Sequence, residues 1–566
     1  MANFTLSSVG NSLGINVSGY SISGSAIANY SLTQPVGLNA NIYPVISTFS
    51  GSGISTLSNG SNITYSPLPT TDLIISSGEL VIDQSATVNS VTVAPGAKLT
   101  LSSSTPLTAT NGITLQSNSS GTGTLIDNYT TPTVNAIVQQ YLPQGRNWYL
   151  TSPISSGTTS SLIATGAATS ISYYNESTSS WVNNYTGSLT TGIGYIAVSA
   201  TGSGTNNIQF SGTLNTGAVN VPLTYKGSAK KGFNLIANPY PSYLNAMTAI
   251  NANPNLASTI WYRTCSTGGT YYFETVNTTS GVGTNTAGTG TVTGYVPPMQ
   301  AFWVRTNLDN QTLSFTNAMR YHANPTSITT TALKVRSQVS QQLRLYVSNG
   351  TNEDEAIVYF NPNASDSFDS YDSQKMSNNT ATIPEIFTVA GTEQLVINGM
   401  NSVTPNQEIL LGFTTGQSNA FSIKATEVSN FDAGTQVILT DNQTNTQWNL
   451  TDGSAYNFSS DITSSNTSRF SVIFKSASIA TGNINNDSES NSVLVYRNTN
   501  NLITINCLNG IVGQASASVY NAVGQKLTEQ TLQHTTTVLA KSFTAGVYLV
   551  NVTAKGKTTT QKVAIN

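Results

Sequence analysis

TAGVYLVNVTAKGKTTTQKVAIN, residues 544–566, decides the fold class. It reads as two strands joined by a tight turn at Lys555-Gly556-Lys557. Val563 and Ile565 alternate with Lys562 and Ala564, so the last strand can bury one face and complete a sheet. Chain ends are ordinarily left to fray, and one written as a strand asks for partners upstream. Those partners are present: residues 491–566 hold seven strand-like runs, VLVYR, NLITINC, ASASVY, GQKLTEQ, TTVLA, GVYLVNV and TQKVAI. Seven short strands in this length suit an immunoglobulin-like sandwich.

The rest of the 566 residues repeats this texture. Runs such as QLRLYVSNG, QEILLGFTT and RFSVIFKS mix β-branched, aromatic and aliphatic residues and break at Asn, Gly or Ser. No segment sustains a helical period, so the expected fold is all-β: several sandwich or jelly-roll modules in series with a short solenoid among them. Only 8% of residues are charged, against roughly a quarter in ordinary globular chains. The 8% aromatic content and the many Val and Ile residues still supply surface to bury, which argues against disorder. A net charge of −3 with no basic block removes the footprint of a nucleic-acid binder. No apolar run approaches the roughly 18 residues a membrane span needs. Two cysteines, Cys265 and Cys507, exclude a disulfide framework. The opening MANFTLSSVG has no basic and apolar leader, so either the protein is cytoplasmic or residue 1 is not the natural start.

Composition divides the chain. Residues 1–45 read as part of a β-repeat, and 46–70, rich in Ser, Gly, Asn and Pro, as a linker. Over 71–134 short strands recur about every ten residues, fitting a solenoid or small sandwich. Residues 135–330 hold Trp148, Trp181, Trp261 and Trp303 and read as one large sandwich or jelly roll. A second sandwich is expected over 331–478, a polar linker over 479–490 and the final module over 491–566.

In the final module the order SVYNAVGQKL, FTAGVYLVNV, TTQKVAIN resembles the type A C-terminal sorting domain of type IX secretion cargo in Bacteroidota. By position the resemblance picks out Val519, Tyr520, Asn521, Gly524 and Gln525, then Ala545, Gly546, Val547 and Tyr548, and lastly Lys562 and Val563. It implies export across the outer membrane, with the translocon and its shuttle or attachment proteins as partners, and a secreted or surface location. Read as residues alone, the glycines serve turns and the tyrosines fill a core. ANYSLTQP, residues 28–35, resembles the closing strand of tandem repeats in large bacterial adhesins. GFNLIANPYPSYLN, IWYRT, YVPPMQAFWVRT and RYHANP resemble stretches common upstream of such sorting domains. Together these imply a modular surface adhesin or structural protein; the alternative is a glycan-binding accessory region of a polysaccharide-active enzyme.

Catalytic chemistry finds little material. His322 and His534 lie in different modules, so neither a histidine zinc site nor a Ser-His-Asp triad has its parts. No phosphate-binding loop or dinucleotide fingerprint occurs, and no catalytic residue is assigned. Asp366, Asp369 and Asp372 form the densest acidic stretch with Glu353, Asp354 and Glu355. Oxygen ligands suit Ca²⁺, but the spacing is not that of an EF-hand, and a solvated acidic loop is the other reading. Trp181, Trp261 and Tyr262 could offer flat faces to a surface polysaccharide; core packing is the competing account.

Overall fold

The computed structural model describes residues 2–6, 10–42, 45–60, 69–129, 133–143, 145–163, 168–198, 206–323, 341–475, 493–498, 502–507, 515–534, 536–554 and 557–565. Two compact units are present: Met1–Phe431 with Val437–Ile473, and Asp432–Gln436 with Phe474–Asn566. Both are almost wholly β, as the residue pattern requires. The expected linker at 479–490 and the boundary at 330/331 lie outside the described residues.

In the first unit, Ala2–Phe4, Gly10–Val17 and Leu38–Ile42 make a three-stranded sheet, and no described side chain from residue 2 to 42 is buried. A β-solenoid follows. Val45–Phe49, Thr71–Ile75, Ser90–Val93, Ile113–Leu115 and Asn135–Leu142 pair in parallel, and antiparallel Asn206–Thr213 closes that sheet. A second parallel sheet runs Ile54–Thr56, Glu79–Ile82, Lys98–Leu101, Thr124–Asp127. Stacking puts like on like: Leu80, Leu99 and Leu125 share one register and are fully buried. Each coil is too small to bury its own apolar face, so successive coils bury one another. Two of these strands fall inside 46–70, the stretch expected to be a linker. Their brevity, three and five residues between Ser, Gly and Asn, hides them. Gly78 is required here: its φ is +72° and a Cβ would meet the Gly51 carbonyl oxygen at 2.6 Å.

Beyond the solenoid, Phe233–Ala237, Ala301–Arg305, Thr259–Cys265 and Tyr271–Asn277 form a four-stranded sheet. A smaller sheet carries Trp148–Leu150, Tyr195–Val198, Ser170–Asn175 and Ser180–Val182. The ANPYPSY turn is tied to the VPP turn by Asn238, whose Nδ2 donates to the carbonyls of Ser242, Val296 and Pro297. Residues 341–473 build an eleven-stranded sheet that folds back on itself around Phe413, Phe421, Phe458 and Phe470. It is locked to the preceding sheet: Trp261 Nε1 donates to the Gln374 carbonyl at 3.0 Å, and Thr259 to Ser373.

All seven strand runs of the terminal module appear as strands. Val493–Arg497, Ile503–Cys507 and Thr536–Val538 form one sheet; Lys526–Leu532, Ala515–Tyr520, Gly546–Ala554 and Lys557–Ile565 form the other. Ile503, Ile505, Val519, Val550, Val563 and Ile565 meet in the core between them. Among the described residues no helix is long and apolar enough to cross a membrane.

Candidate functional site

Strand alternation in the first unit decides which aromatics can meet a ligand. Trp261 and Tyr262 are neighbours, so they face opposite sides of their sheet. Trp261 is fully buried beneath Phe233, at 5.2 Å between centroids. Tyr262 sits in the core on the other side, its hydroxyl donating to the Thr293 carbonyl. Neither offers a face to a sugar, which corrects the expectation that Trp261 and Tyr262, with Trp181, could present flat faces to a polysaccharide. Trp181 alone lines a cleft, of about 300 Å³.

That cleft opens where the small sheet packs on the Trp261 face. Tyr174, Trp181 and Trp303 meet edge to face at centroid distances of 5.1 to 5.9 Å. Tyr149 and Phe233 extend this wall, and Arg263, Phe273, Met376 and residues 378–380 close the opposite side. Arg263 lies over Phe273, Cζ 4.5 Å from the ring centroid. Its Nη1 and Nη2 reach only Asn378 Oδ1 and O, at 3.4 and 3.5 Å. Burial lowers the Arg263 pKa, with nearby Tyr149 and Tyr271 opposing it. Sequence reading missed Tyr149, Arg263, Trp303 and Asn378 as site residues, because they come from four segments between residues 149 and 378. The alternation that puts Trp261 and Arg263 on one face was the available signal.

The carboxylates serve structure. Asp366 accepts from Asn401 N and Gln407 Nε2, Asp369 from Ser365 N and Tyr371 N, and Asp372 from Asp369 N and Gly399 N. Among the described residues no three His, Cys, Asp or Glu side chains gather as a metal site, so the structure does not bring this triplet together for Ca²⁺. Burial raises Asp372 to about 7, with Asp369 adding to it and the two amides opposing. Glu176 takes amide hydrogens from Lys226, Gly227 and Gly232. Glu274 and Glu355 clamp residues 284–287, and Glu355 also binds Arg344. Asp354 pairs with Lys375, and burial raises its pKa. His322 is buried against the solenoid, held by Thr100 and Thr124 hydroxyls with Glu79 at 3.5 Å. Burial lowers its pKa, with Glu79 opposing.

In the terminal module the motif residues sort by role. Asn521, Gly524 and Gln525 make a hairpin turn: Asn521 Oδ1 accepts from Val523 N and Gln525 N, and Gly524 has φ +85°. Val519, Tyr548 and Val563 are buried, and the Tyr548 hydroxyl donates to the Thr544 carbonyl at 2.8 Å. Tyr520 is half-buried beside them. Gly546 opens a strand opposite Ile565, and a Cβ there would meet nothing closer than 3.6 Å. Gln525, Ala545, Gly546, Val547 and Lys562 are exposed.

A family model described as Domain of unknown function (DUF8693) matches residues 48–474, most of the chain. The chain belongs to that family. The DUF8693 segment takes in the solenoid, both central sheets and the folded-back sheet. Residues 496–566 match a second model, Secretion system C-terminal sorting domain. The terminal module is therefore a type IX secretion signal, which implies a Bacteroidota source, and the protein is exported to the cell surface or extracellular space. Its handling by the type IX machinery follows. No curated protein matches the chain.

Proposed function

We propose that this DUF8693 protein is a surface adhesin or structural protein, with the first unit as a non-catalytic interaction module. The observation that carries this reading is the commitment of its buried carboxylates, save Asp127, whose Oδ2 has no partner among the described residues but is sealed from solvent. Glu176, Glu274, Asp354, Glu355 and Asp441 are each engaged by backbone amides, hydroxyls or cations. General acid–base work needs a carboxyl group free to reach substrate. Purified full chain should leave polysaccharides and peptides uncleaved, while host cells lacking residues 48–474 should lose attachment to their surface. Bond cleavage by the chain would sink the non-catalytic reading, and undiminished attachment would sink the adhesin reading.

A second reading has its own support. The aromatic cleft favours a glycan-binding module, because stacked rings cover the C–H faces of a sugar with little loss of side-chain entropy. Binding of an oligosaccharide by the full chain, lost in Trp181→Ala, tests it.

A further inference from the structure

We propose that the aromatic cleft of the first unit binds one carboxylate-bearing sugar ring of an acidic polysaccharide, with Arg263 as the anion contact. The inference rests on the glycan-binding reading above and adds the charge of the ligand. Size comes first. About 300 Å³ is at the small end of ligand pockets, room for a ring rather than an extended chain. Tyr174, Trp181 and Trp303 give that ring an apolar wall.

Charge follows from what the other arginines do. Arg344 pairs with Glu355 and Glu427, and Arg469 with Asp441. Buried Arg320 donates to the carbonyls of Asp127 and Leu125. Among the described residues Arg263, like Arg146, Arg305 and Arg320, forms no ion pair, and its hydrogen bonds are the two long ones to Asn378; Glu385, which accepts from Asn378 N, acts on it only weakly from beyond that residue. Phe273 fixes its plane, so the fork is oriented before a ligand arrives. Lys230, exposed at the rim, adds a second positive charge, and no Asp or Glu lines the cleft.

Hydrogen-bond inventory points the same way. Trp303 Nε1 and Asn378 Nδ2 are closed off from solvent in the cleft wall; Asn378 Nδ2 has no acceptor among the described residues, and Trp303 Nε1 has the Tyr149 hydroxyl beside it. Buried donors are ordinarily satisfied. The charged donors that a ligand in the cleft can reach are the Arg263 guanidinium and the exposed Lys230 ammonium. A neutral sugar brings hydroxyls, each with a donor hydrogen as well as acceptor lone pairs, whereas a carboxylate only accepts and carries the opposite charge. The ligand that balances this inventory is acidic, and Arg263 can take it in bidentate fashion.

Calorimetric titration of the full chain with three probes tests the proposal. These are a trisaccharide of galacturonic acid, the same trisaccharide with carboxyls reduced to neutral galactose, and a tripeptide with a free C-terminal carboxylate. The acidic trisaccharide should bind, and the reduced one at least about tenfold more weakly, as expected for losing a charged hydrogen bond. Arg263→Gln should weaken acidic binding by a similar factor. Lys230→Gln, at an exposed position, should weaken it a few fold and flatten its salt dependence while melting like the parent, so a misfolded Arg263 variant leaves the charge claim testable. Equal affinity for acidic and reduced trisaccharides overturns the acidic-sugar inference and keeps the glycan reading. No binding of either overturns both, and tighter binding of the tripeptide assigns the cleft to peptide ends instead.

Discussion

The terminal module and the DUF8693 unit are built from the same low-charge strands, yet they carry function differently. In the module every named motif residue lies within about 45 positions, in one hairpin, one buried tyrosine strand and the edge strand that pairs with it. In the larger unit the cleft joins Tyr149 to Asn378 across four sheets or loops. Local function stays visible in sequence; function assembled by long-range packing does not. The module's function belongs to a fold, whereas the cleft's would belong to a few side chains.

The contrast can be broken at its strongest point first. Val550 is fully buried in the module core, and Val550→Asp should cost about 4 kcal/mol or more by burying an unpaired charge. Surface display, read by whole-cell immunodetection, should collapse with the melting transition. Display that survives unfolding would mean that the address is a linear peptide. In the first unit the matching test is Asp441→Ala, which strands buried Arg469 without its partner. A loss of about 3 to 5 kcal/mol is expected in denaturant melts, with export of the still-folded fraction unchanged.

Two glycines sharpen the comparison further. Gly524→Val forces a β-branched residue to φ +85° and should destabilise the module by about 1–3 kcal/mol. Gly546→Ala meets only ordinary contacts and should leave stability within about 0.5 kcal/mol. If Gly546→Ala nevertheless stops export, that exposed position touches the secretion machinery instead of supporting the fold.

Acidification gives the smallest and most local effect. The folded pKa of His322 lies below its ordinary 6.5, so the unfolded chain takes up the proton first and stability falls as pH drops below that value. Burial pushes Glu79 up, but His322 and Thr100 outweigh it and leave it lowered, so its contribution is lost as pH falls below about 4.5. Asp372 runs the other way. Raised to about 7, it makes the folded state less stable as pH climbs from about 4 to 7. Amide protection, taken relative to the intrinsic exchange rate at each pH, should therefore fall in Lys98–Leu101 and rise around Gly399 between pH 7 and pH 5. A uniform response in both places would contradict these assignments.

How much could be read in advance follows from the same physics. Val563 and Ile565 announced a half-buried closing strand, and the recurrence over 71–134 fitted either stacked coils or a small sandwich, of which the coils are present with their leucines in register. Val45–Phe49 and Ile54–Thr56 escaped notice because a strand of three to five residues among Ser and Gly has no period to detect. Trp261 and Tyr262 misled because adjacency in sequence means separation across a sheet. Asp366, Asp369 and Asp372 looked like ligands, yet backbone amides and side-chain donors of the same loops and the neighbouring strand occupy them.

The central claim is that the terminal module is an export address and the DUF8693 unit its cargo. Expressing the precursor in its native host with and without residues 491–566, and measuring the share that reaches surface and medium, tests it directly. The truncated protein should accumulate in the periplasm with its first unit folded. Undiminished export of the truncated chain would contradict it.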